Sequence, residues 1–263
     1  ISMRLDSSIR FPWQMTLGSI QDENLIYKMG EEIARQCKLI GVNINFSPVV
    51  DVNFNPRNPI IGNRSFGENP KRVGELGIQY MKGMQDHQVL ACAKHFPGHG
   101  DTDSDSHKGL PIIKHSKKRL NNVEILPFKM MIDEGLGSVM VAHLHIPSLD
   151  NTKNIAASLS KNIVTDLLKK ELNFKGLVIT DGLNMKAVSK FYKPGFVDVK
   201  ALLAGNDILL FSEDVPEAIK QIKIAIKNNK ISQKEIDERC RKILLYKYWM
   251  GLHKYKPSDL KKI

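Results

Sequence analysis

The 263-residue chain is 42% hydrophobic and 25% charged, which is enough apolar material for a folded core and excludes disorder as its overall state. No stretch approaches the ~18 consecutive apolar residues that a membrane span requires, so we expect no transmembrane segment. Lysine and arginine exceed aspartate and glutamate by 39 to 28, a formal charge of +11. The basic residues are scattered and only 7% of the chain is aromatic, so we predict a solvated, lysine-rich surface and no nucleic-acid partner.

Helical and strand patterns alternate along the chain. Apolar residues recur every three or four positions in the segments predicted as helices, which are residues 22–40, 70–85, 117–134, 160–172, 197–204, 215–227 and 232–248. Short apolar runs predict strands at residues 42–50, 89–93, 138–142, 176–180 and 207–211. Short apolar strands between amphipathic helices are typical of a parallel sheet that helices cover on both faces.

Polar side chains follow the ends of the predicted strands. Asp51, the pair Lys94 and His95, His143 and Asp181 each stand directly after a strand. Reactive residues at the carboxyl ends of successive strands are typical of a (β/α)8 barrel of the TIM type, whereas no G-x-G-x-x-G loop supports a Rossmann fold. We therefore predict an α/β barrel. Because such a barrel has eight strands, we expect this chain to be a truncated one.

Three cysteines, Cys37, Cys92 and Cys240, lie far apart and form neither a C-x-x-C motif nor a zinc-site spacing. We expect all three to be small buried apolar residues rather than disulfide partners. The chain starts at Ile1, and its first residues resemble neither a signal peptide nor a transit peptide. The native start is therefore expected to be missing, and the compartment, bacterial cytoplasm or cell envelope, stays open.

The densest group of ionisable residues lies at 94–107. This segment holds three histidines, three aspartates and a lysine, and its proline and two glycines predict a loop rather than a helix. A solvated polar loop is the alternative without a function. So many titratable side chains in one loop favour a functional site, and two kinds of chemistry compete for it: metal binding and acid–base catalysis.

Metal binding is suggested by H-x-x-x-H at residues 95–99 and by D-x-D-x-D at residues 101–105. A calcium loop of the EF-hand type requires a glycine where Ser106 stands and a bidentate glutamate where Ile112 stands. The histidine pair lies on a Pro-Gly turn, which does not align two imidazoles as a helix would. We therefore predict no metal and no cofactor.

Acid–base catalysis requires a side chain that titrates near neutral pH and a partner that orients it. Asp105 and His107 lie two residues apart, so the carboxylate can hold one imidazole nitrogen and stabilise the imidazolium. Such a pair needs a nucleophile or an activated water. Asp181 is the best candidate nucleophile, because an apolar strand releases it at the catalytic rim of a barrel. The alternative for Asp181 is an N-cap of the next helix.

Five separated motifs together resemble the family 3 glycoside hydrolases, in the branch of the β-N-acetylglucosaminidases. The motifs are SPVVDV at 47–52, GNRSFG at 62–67, the loop 94–107 with the following KGLP, VMVAH at 139–143 and VITDGLNM at 178–185. They occur in the family's order and span nearly the whole chain. The resemblance implies a (β/α)8-like barrel that removes terminal N-acetylglucosamine with retention of configuration. Residues 1–263 would be a single catalytic domain that holds the last five strands and the C-terminal helices.

The resemblance also implies roles for individual residues. Asp181 matches the nucleophile, His107 the acid/base and Asp105 the partner of that histidine. The positions that match substrate-binding residues are Arg4, Arg64, Lys94, His95 and His143. The family's substrate-binding aspartate and its first three strands would precede Ile1, and a second domain could follow residue 263.

Several functions fit this interpretation. The first hypothesis is a retaining exo-β-N-acetylglucosaminidase that acts on peptidoglycan or chitin fragments, so that its partner is a glycan. A histidine acid/base carries no negative charge after the first step, which leaves open a phosphorylase that uses phosphate in place of water. A non-catalytic sugar-binding barrel fragment is the alternative from another class, and a metal-dependent hydrolase is the third. The natural leaving group and the oligomeric state are not predicted.

Overall fold

Four short parallel strands form one sheet among residues 8–102 and 109–254, which are the residues that the computed structural model describes. The strands are β1 (Ile44–Asn45), β2 (Leu90–Phe96), β3 (Ser138–Val141) and β4 (Leu177–Thr180). They lie side by side in chain order, with Ile44 opposite Leu90 and Ser138 opposite Leu177. Because every pair is parallel, the carboxyl ends of the strands meet at one edge of the sheet.

Helices connect the strands and cover the sheet. They are α1 (Gln14–Leu17), α2 (Asn24–Leu39), α3 (Pro70–Gln85), α4 (Lys117–Asn122), α5 (Leu126–Asp133), a π-helix (Asn162–Glu171), α6 (Lys186–Ser189), α7 (Phe196–Ala204), α8 (Val215–Lys227) and α9 (Gln233–Trp249), with 3-10 turns at Gly62–Arg64 and Ala157–Leu159. The predicted helices at 70–85 and 215–227 have the predicted bounds. The side chains of Asn69 and Asp214 cap them, and a proline lies in the first two positions of each, so both begin where the sequence signals a start.

The predicted helix at 117–134 is interrupted. α4 ends at Asn122, and α5 begins at Leu126 with Pro127 in its first turn. Proline has no backbone N–H, and its ring clashes with the carbonyl four residues earlier, at Val123, so the prediction of one continuous helix is wrong. Residues 160–172, predicted as an α-helix, instead contain the π-helix Asn162–Glu171, whose wider turn the apolar spacing does not indicate.

Two predicted strands are shorter than expected. In the segment 42–50, β1 is followed by an isolated bridge from Val49 to β2, because Pro48 has no N–H to donate to a neighbouring strand. In the segment 207–211, Ile208 forms a bridge to β4. The chain then leaves the strand conformation at Phe211, whose φ is +49°. The expected fifth strand is therefore reduced to a bridge.

Alternate residues of the strands face two apolar layers. Ala91, Val139 and Val178 belong to the main core, which they share with apolar residues of α2, α3 and α5. The opposite face carries a smaller apolar cluster, formed by Phe46, Cys92, Met140, Ile179, Ile208 and Leu210. Because both faces of the sheet are buried, its strands are continuous apolar runs, and the predicted two-sided parallel sheet is confirmed.

Asp207 holds together the edge of the sheet opposite the carboxyl ends. Its side chain is 3% exposed. One carboxylate oxygen lies 3.1 Å from Nζ of Lys169, and the other accepts from Nζ of Lys242 at 2.7 Å and from the backbone N–H of Val178 at 2.8 Å. The π-helix, the start of β4 and α9 are thus joined by one carboxylate, which we interpret as a structural group.

The cysteines are not all buried. Cys37 and Cys92 are buried, as predicted, and burial raises the pKa of each thiol to about 11. Cys240 is exposed, so its prediction as a buried residue is wrong. It lies on α9, where every residue keeps some contact with solvent.

Within the two described ranges, every helix is too short or too polar to cross a membrane.

Candidate active site

The carboxyl edge of the sheet brings together Asp51, Lys94, His95, His143 and Asp181. The carboxylate of Asp181 lies within electrostatic range of His95, His143 and Lys94, and Lys94 is also influenced by Asp51. Asp51, His143 and Asp181 come from separate segments that follow strands, whereas Lys94 and His95 lie inside β2, which extends to Phe96 and does not end at residue 93 as predicted. The parallel arrangement of the strands collects these side chains. The residues that follow the predicted strands therefore do form one site.

Asp51 is fully buried and lies at the base of this edge. Its Oδ1 accepts the backbone N–H of His95 at 3.0 Å and that of His99 at 2.7 Å, and its Oδ2 lies 2.7 Å from Nδ1 of His95. Burial by itself would raise the pKa of Asp51, but the charge and hydrogen bonds of His95 and the charge of His99 outweigh it and hold that pKa below its usual value. The carboxylate is therefore ionised at neutral pH, and Nδ1 of His95 carries the proton that it accepts.

His99 is buried beside the same carboxylate. Its Nδ1 lies 2.8 Å from Oγ1 of Thr102, and its Nε2 has no hydrogen-bond partner in the described part of the chain. Burial lowers the pKa of His99, and the charge of His95 lowers it further. The His95 and His99 rings meet edge to face with 5.9 Å between centroids. The Nδ1 of each ring lies within hydrogen-bond distance of a different protein oxygen.

Asp181 follows β4 and lies in a turn that His143 supports. Its Oδ1 accepts the N–H of Gly182 at 2.9 Å. The carbonyl of Gly182 lies 2.8 Å from Nε2 of His143, and Nδ1 of His143 lies 2.7 Å from Oγ of Ser158. Because a carbonyl can only accept, Nε2 carries the proton and Nδ1 accepts from the serine. The next helix, α6, begins at Lys186 without a side-chain cap, so Asp181 is not its N-cap.

His143 is completely enclosed by protein. Burial lowers the pKa of its imidazole, and both of its nitrogens are hydrogen-bonded to protein atoms. This geometry is that of a residue that orients the turn of Asp181. Direct contact between His143 and a sugar, which the family resemblance implies, stays a prediction.

Asp181 is held in its ionised form. Burial by itself would raise the pKa of its carboxyl, but the charges of His95 and His143, the N–H of Gly182 and the charge of Lys94 outweigh that effect and hold the pKa below its usual value. An ionised carboxylate that is partly buried and faces a cleft is suited to attack an electrophilic carbon.

Lys94 and Arg64 add positive groups to the same edge. Lys94 belongs to β2, and the guanidinium of Arg64 donates to a backbone carbonyl 3.2 Å away. Burial lowers the pKa of the Lys94 amine, and the charge of Arg64 lowers it further, whereas the carboxylates of Asp181 and Asp51 oppose both effects. The edge therefore offers N–H donors around one carboxylate, an arrangement that can bind the hydroxyl groups of a sugar.

Two glycines allow the loop after β2 to pack closely on its neighbours. A Cβ on Gly98, whose φ is +130°, would lie 2.6 Å from Cβ of Glu124, and a Cβ on Gly100 would lie 1.8 Å from the carbonyl oxygen of Val52. Neither position has room for a larger residue. The loop therefore packs closely on Glu124 and Val52.

Asp101, His115 and Glu124 form a further group, which no sequence spacing indicated. Their potential ligand atoms lie within 4.8 Å of one another, and Nε2 of His115 lies 2.5 Å from Oδ2 of Asp101. Burial raises the pKa of Glu124, and Arg119 opposes this by donating to both carboxylate oxygens, at 2.9 and 3.1 Å. Arg119 supplies a counter-charge to Glu124, and we interpret the group as a support of the loop.

Three residues of the predicted site, Arg4, Asp105 and His107, lie outside the described residues. Their roles stay predictions that rest on the sequence. The same holds for the D-x-D-x-D spacing, of which Asp101 alone is described.

A cleft of about 420 Å³ opens beside Asp181. Its walls include Met185, Leu210 and Phe211. The side chain of Phe211 is 70% exposed, although aromatic rings are more often packed in the core. Neither periodicity nor a motif identified Phe211 from the sequence, because it belongs to a segment predicted as an ordinary strand.

Known proteins share this sequence pattern over most of the chain. The sequence model of a family described as the glycosyl hydrolase family 3 N-terminal domain matches residues 1–245. Beta-hexosaminidase A of Pseudoalteromonas piscicida is 35% identical over 264 residues, which cover 90% of this chain and 44% of that protein. A beta-hexosaminidase of Nitrosomonas eutropha is 33% identical over 219 residues, which cover 81% of this chain and 62% of that protein. The chain thus spans about half the length of these relatives.

A solved structure shares the fold. The glycoside hydrolase family 3 beta-N-acetylglucosaminidase from Paenibacillus sp. str. FPU-7 superposes with a TM-score of 0.93 at 38% identity, over 98% of this chain and 49% of that one. The predicted fold class, an α/β fold of the TIM-barrel type, is thereby confirmed. That the chain holds the last five strands of such a barrel stays a prediction.

Proposed function

Because the chain belongs to glycosyl hydrolase family 3, whose N-terminal domain it matches over residues 1–245, we propose that the protein is a retaining exo-β-N-acetylglucosaminidase with Asp181 as its nucleophile. The observation that carries this proposal is the ionised and partly buried carboxylate of Asp181 beside His95 and Lys94. Residues 1–263 would form one catalytic domain. The substrate would be the terminal β-linked N-acetylglucosamine of peptidoglycan or chitin fragments.

In the first step, Asp181 attacks the anomeric carbon of the terminal sugar. A bond forms between a carboxylate oxygen and that carbon while the bond to the leaving oxygen breaks, which gives a covalent glycosyl-enzyme. His107 donates the proton that the leaving oxygen takes up, and Asp105 orients the imidazole of His107. The donor is then neutral and carries no charge that would repel an acceptor.

In the second step, water attacks the same carbon from the side that the leaving group has vacated. His107 takes a proton from the water, and the bond between the sugar and Asp181 breaks. N-acetylglucosamine leaves with its original β configuration, because two inversions have occurred at one carbon. Neither step uses a cofactor.

The positive groups at the carboxyl edge are assigned to the hydroxyls of the terminal sugar. Lys94 and Arg64 supply N–H donors at this edge, and His95 offers its Nε2, which the Nδ1 contact with Asp51 leaves free. The sequence resemblance assigns the same role to Arg4. We assign His143 to a supporting role. Its imidazole is hydrogen-bonded to the carbonyl of Gly182, which belongs to the turn that holds Asp181.

Hydrolysis of 4-nitrophenyl N-acetyl-β-glucosaminide by the full-length protein tests the proposal. We expect release of 4-nitrophenol together with N-acetylglucosamine, and NMR of the first product should show the β anomer. The matched Asp181→Asn variant should release almost no 4-nitrophenol. A folded wild-type protein that hydrolyses no N-acetylglucosaminide would contradict the proposed function and favour a non-catalytic sugar-binding barrel.

A phosphorylase is the second candidate function. It is favoured by an acid/base histidine that is neutral when an anionic acceptor approaches the glycosyl-enzyme. The same reaction run with and without inorganic phosphate separates the two candidates. A hydrolase yields free N-acetylglucosamine at an unchanged rate, whereas a phosphorylase yields N-acetylglucosamine 1-phosphate and is faster with phosphate.

A further inference from the structure

Phe211 is an exposed aromatic residue that shares a cleft with the proposed nucleophile. The cleft of about 420 Å³ is lined by both Asp181 and Phe211, with Met185 and Leu210 between them. Phe211 is 70% exposed as a residue, more than any other phenylalanine among the exposed apolar residues of the described chain. Burying a phenylalanine is worth roughly 1.5–3 kcal/mol, so a ring left in water beside a reactive carboxylate calls for an explanation.

The backbone around Phe211 is fixed relative to Asp181. The N–H of Leu210 donates to Oγ1 of Thr180 at 2.9 Å, and the carbonyl of Leu210 accepts the N–H of Leu183 at 2.9 Å. These two partners lie on either side of Asp181 in the sequence. Any movement of Phe211 relative to Asp181 would therefore break hydrogen bonds on one side of Asp181 or the other.

The backbone of Phe211 is also strained. Its φ of +49° lies in the left-handed region, which a bulky residue other than glycine occupies at a cost and which concentrates at functional sites. This conformation directs a large apolar ring to the cleft instead of continuing the strand. The hydrogen bonds of the neighbouring Leu210 therefore hold the backbone of Phe211 in this conformation, which phenylalanine by itself does not favour.

The cleft is lined by a different set of residues from the groups assigned to the terminal sugar. Arg64, Lys94 and His95 are not among the residues that line it. A ring as exposed as Phe211 suits a group that must depart into solvent, whereas the sugar that is cleaved is held by the less exposed groups Arg64, Lys94 and His95. The flat apolar face of an aromatic ring packs well against the C–H face of a pyranose.

We propose that Phe211 forms the wall of the subsite that binds the sugar ring on the leaving-group side of the bond to be cleaved. This assignment rests on the proposed function, because Asp181 defines where that bond lies. The occupant is a pyranose such as the second N-acetylglucosamine of a β-1,4-linked disaccharide. Phe211 then selects glycan leaving groups over small alkyl ones.

The test measures binding in the full-length Asp181→Asn protein, in which cleavage is blocked. Isothermal titration calorimetry compares two ligands, the β-1,4-linked N-acetylglucosamine disaccharide and methyl N-acetyl-β-glucosaminide, which lacks the second ring. The added substitutions are Phe211→Ala, Phe211→Tyr and, as a matched control, Phe196→Ala. Phe196 is 52% exposed and does not line the cleft.

We expect Phe211→Ala to weaken disaccharide binding by roughly tenfold, the loss typical of removing one apolar contact of this size. Binding of the methyl glycoside should stay the same, Phe211→Tyr should retain disaccharide binding, and Phe196→Ala should change neither. In the active protein, Phe211→Ala should raise KM for the disaccharide and leave kcat nearly unchanged.

Two results would overturn the assignment. Equal disaccharide binding with and without the Phe211 ring, or no binding in either protein, would show that the ring is no part of a sugar subsite. An equal loss for both ligands would place Phe211 against the terminal sugar instead. Failure of the proposed function is seen separately, as a wild-type protein that hydrolyses no N-acetylglucosaminide, and the binding comparison still decides the role of Phe211 in that case.

Discussion

The carboxylate of Asp51 lies 2.7 Å from Nδ1 of His95 and is fully buried. Its other oxygen accepts the backbone N–H groups of His95 and His99. One side chain therefore determines both the path of the loop and the tautomer of the His95 imidazole. The proton on Nδ1 leaves Nε2 as the atom that can meet a substrate hydroxyl, so Asp51 is a positioning residue that acts through His95.

Asp51→Asn should lower kcat/KM for an N-acetylglucosaminide by about 10–100-fold, the range found when the partner of a functional histidine is removed. The amide oxygen still accepts from the backbone, but the amide nitrogen cannot accept the proton of Nδ1. Steady-state kinetics of Asp51→Asn, His95→Gln and the double variant measure the effect. Because Asp51 acts through His95, the double variant should be little worse than His95→Gln alone. If the losses of transition-state stabilisation from the two single substitutions simply add in the double variant, this role of Asp51 is contradicted.

The stability of the protein in acid should depend on Asp51. Burial by itself would raise its pKa, but His95 and His99 hold the pKa of Asp51 in the folded protein below its usual value. Such a carboxylate stabilises the fold above its unfolded pKa, ~3.9, and loses that contribution as the pH falls through the folded pKa. Urea unfolding at a series of pH values should show the free energy of unfolding falling below pH ~4. We expect the free energy of unfolding to fall less steeply with decreasing pH in Asp51→Asn than in the wild type. The same slope in both proteins would argue against a contribution of Asp51 to acid stability.

Asp181→Asn should lower turnover by at least ~10³-fold, because the amide has no negative charge with which to attack the anomeric carbon. The matched control is Asp166→Asn. Asp166 is an exposed aspartate paired with Lys170 on the π-helix, so its loss should leave turnover unchanged. Initial rates with 4-nitrophenyl N-acetyl-β-glucosaminide provide the measurement. Activity of Asp181→Asn within tenfold of the wild type would exclude Asp181 as the nucleophile.

His107→Ala should affect the two covalent steps differently. A dinitrophenyl leaving group needs little protonation, so the first step survives while the second stalls, and about one equivalent of leaving group should appear as a burst. Added azide needs no general base and should restore turnover, with the β-glycosyl azide as product. Asp105→Asn should show a milder form of the same pattern. If His107→Ala slows the hydrolysis of substrates with good and with poor leaving groups equally, and azide has no effect, His107 is not the acid/base.

Asp207→Asn should destabilise the protein by about 2 kcal/mol, since it leaves Lys169 and Lys242 without their shared counter-charge and both lysines are partly screened by solvent. Each of these lysine side chains is about a quarter exposed, against 3% for Asp207. Urea unfolding measures the change, and Asp166→Asn, which removes an exposed ion pair, should cost less than ~1 kcal/mol. Equal losses in both variants would show that the buried carboxylate contributes no more than a surface pair.

The starts of several helices depend on residues that are close in the sequence, so local sequence signals can identify them. α3 and α8 begin at capping side chains with a proline in the first turn, and Ser232 and Glu235 form a reciprocal cap at the start of α9. These interactions span three or four residues, so they can be identified in the sequence. The break before Pro127 could have been anticipated from the same kind of signal, since a proline in the interior of a long helix is rarely tolerated.

What the sequence by itself determined is the alternation of helix and strand and the set of polar residues that follow the strands, because burial on two faces imposes continuous apolar runs and a parallel sheet gathers their carboxyl ends. The tertiary structure alone decided which atoms meet. Asp51 and His95 are 44 residues apart, His143 supports the turn of Asp181, and Phe211 enters the cleft because hydrogen bonds from distant residues hold its backbone. Periodicity assigns a residue to a face but not to a partner, since contacts between distant segments depend on strand register and packing.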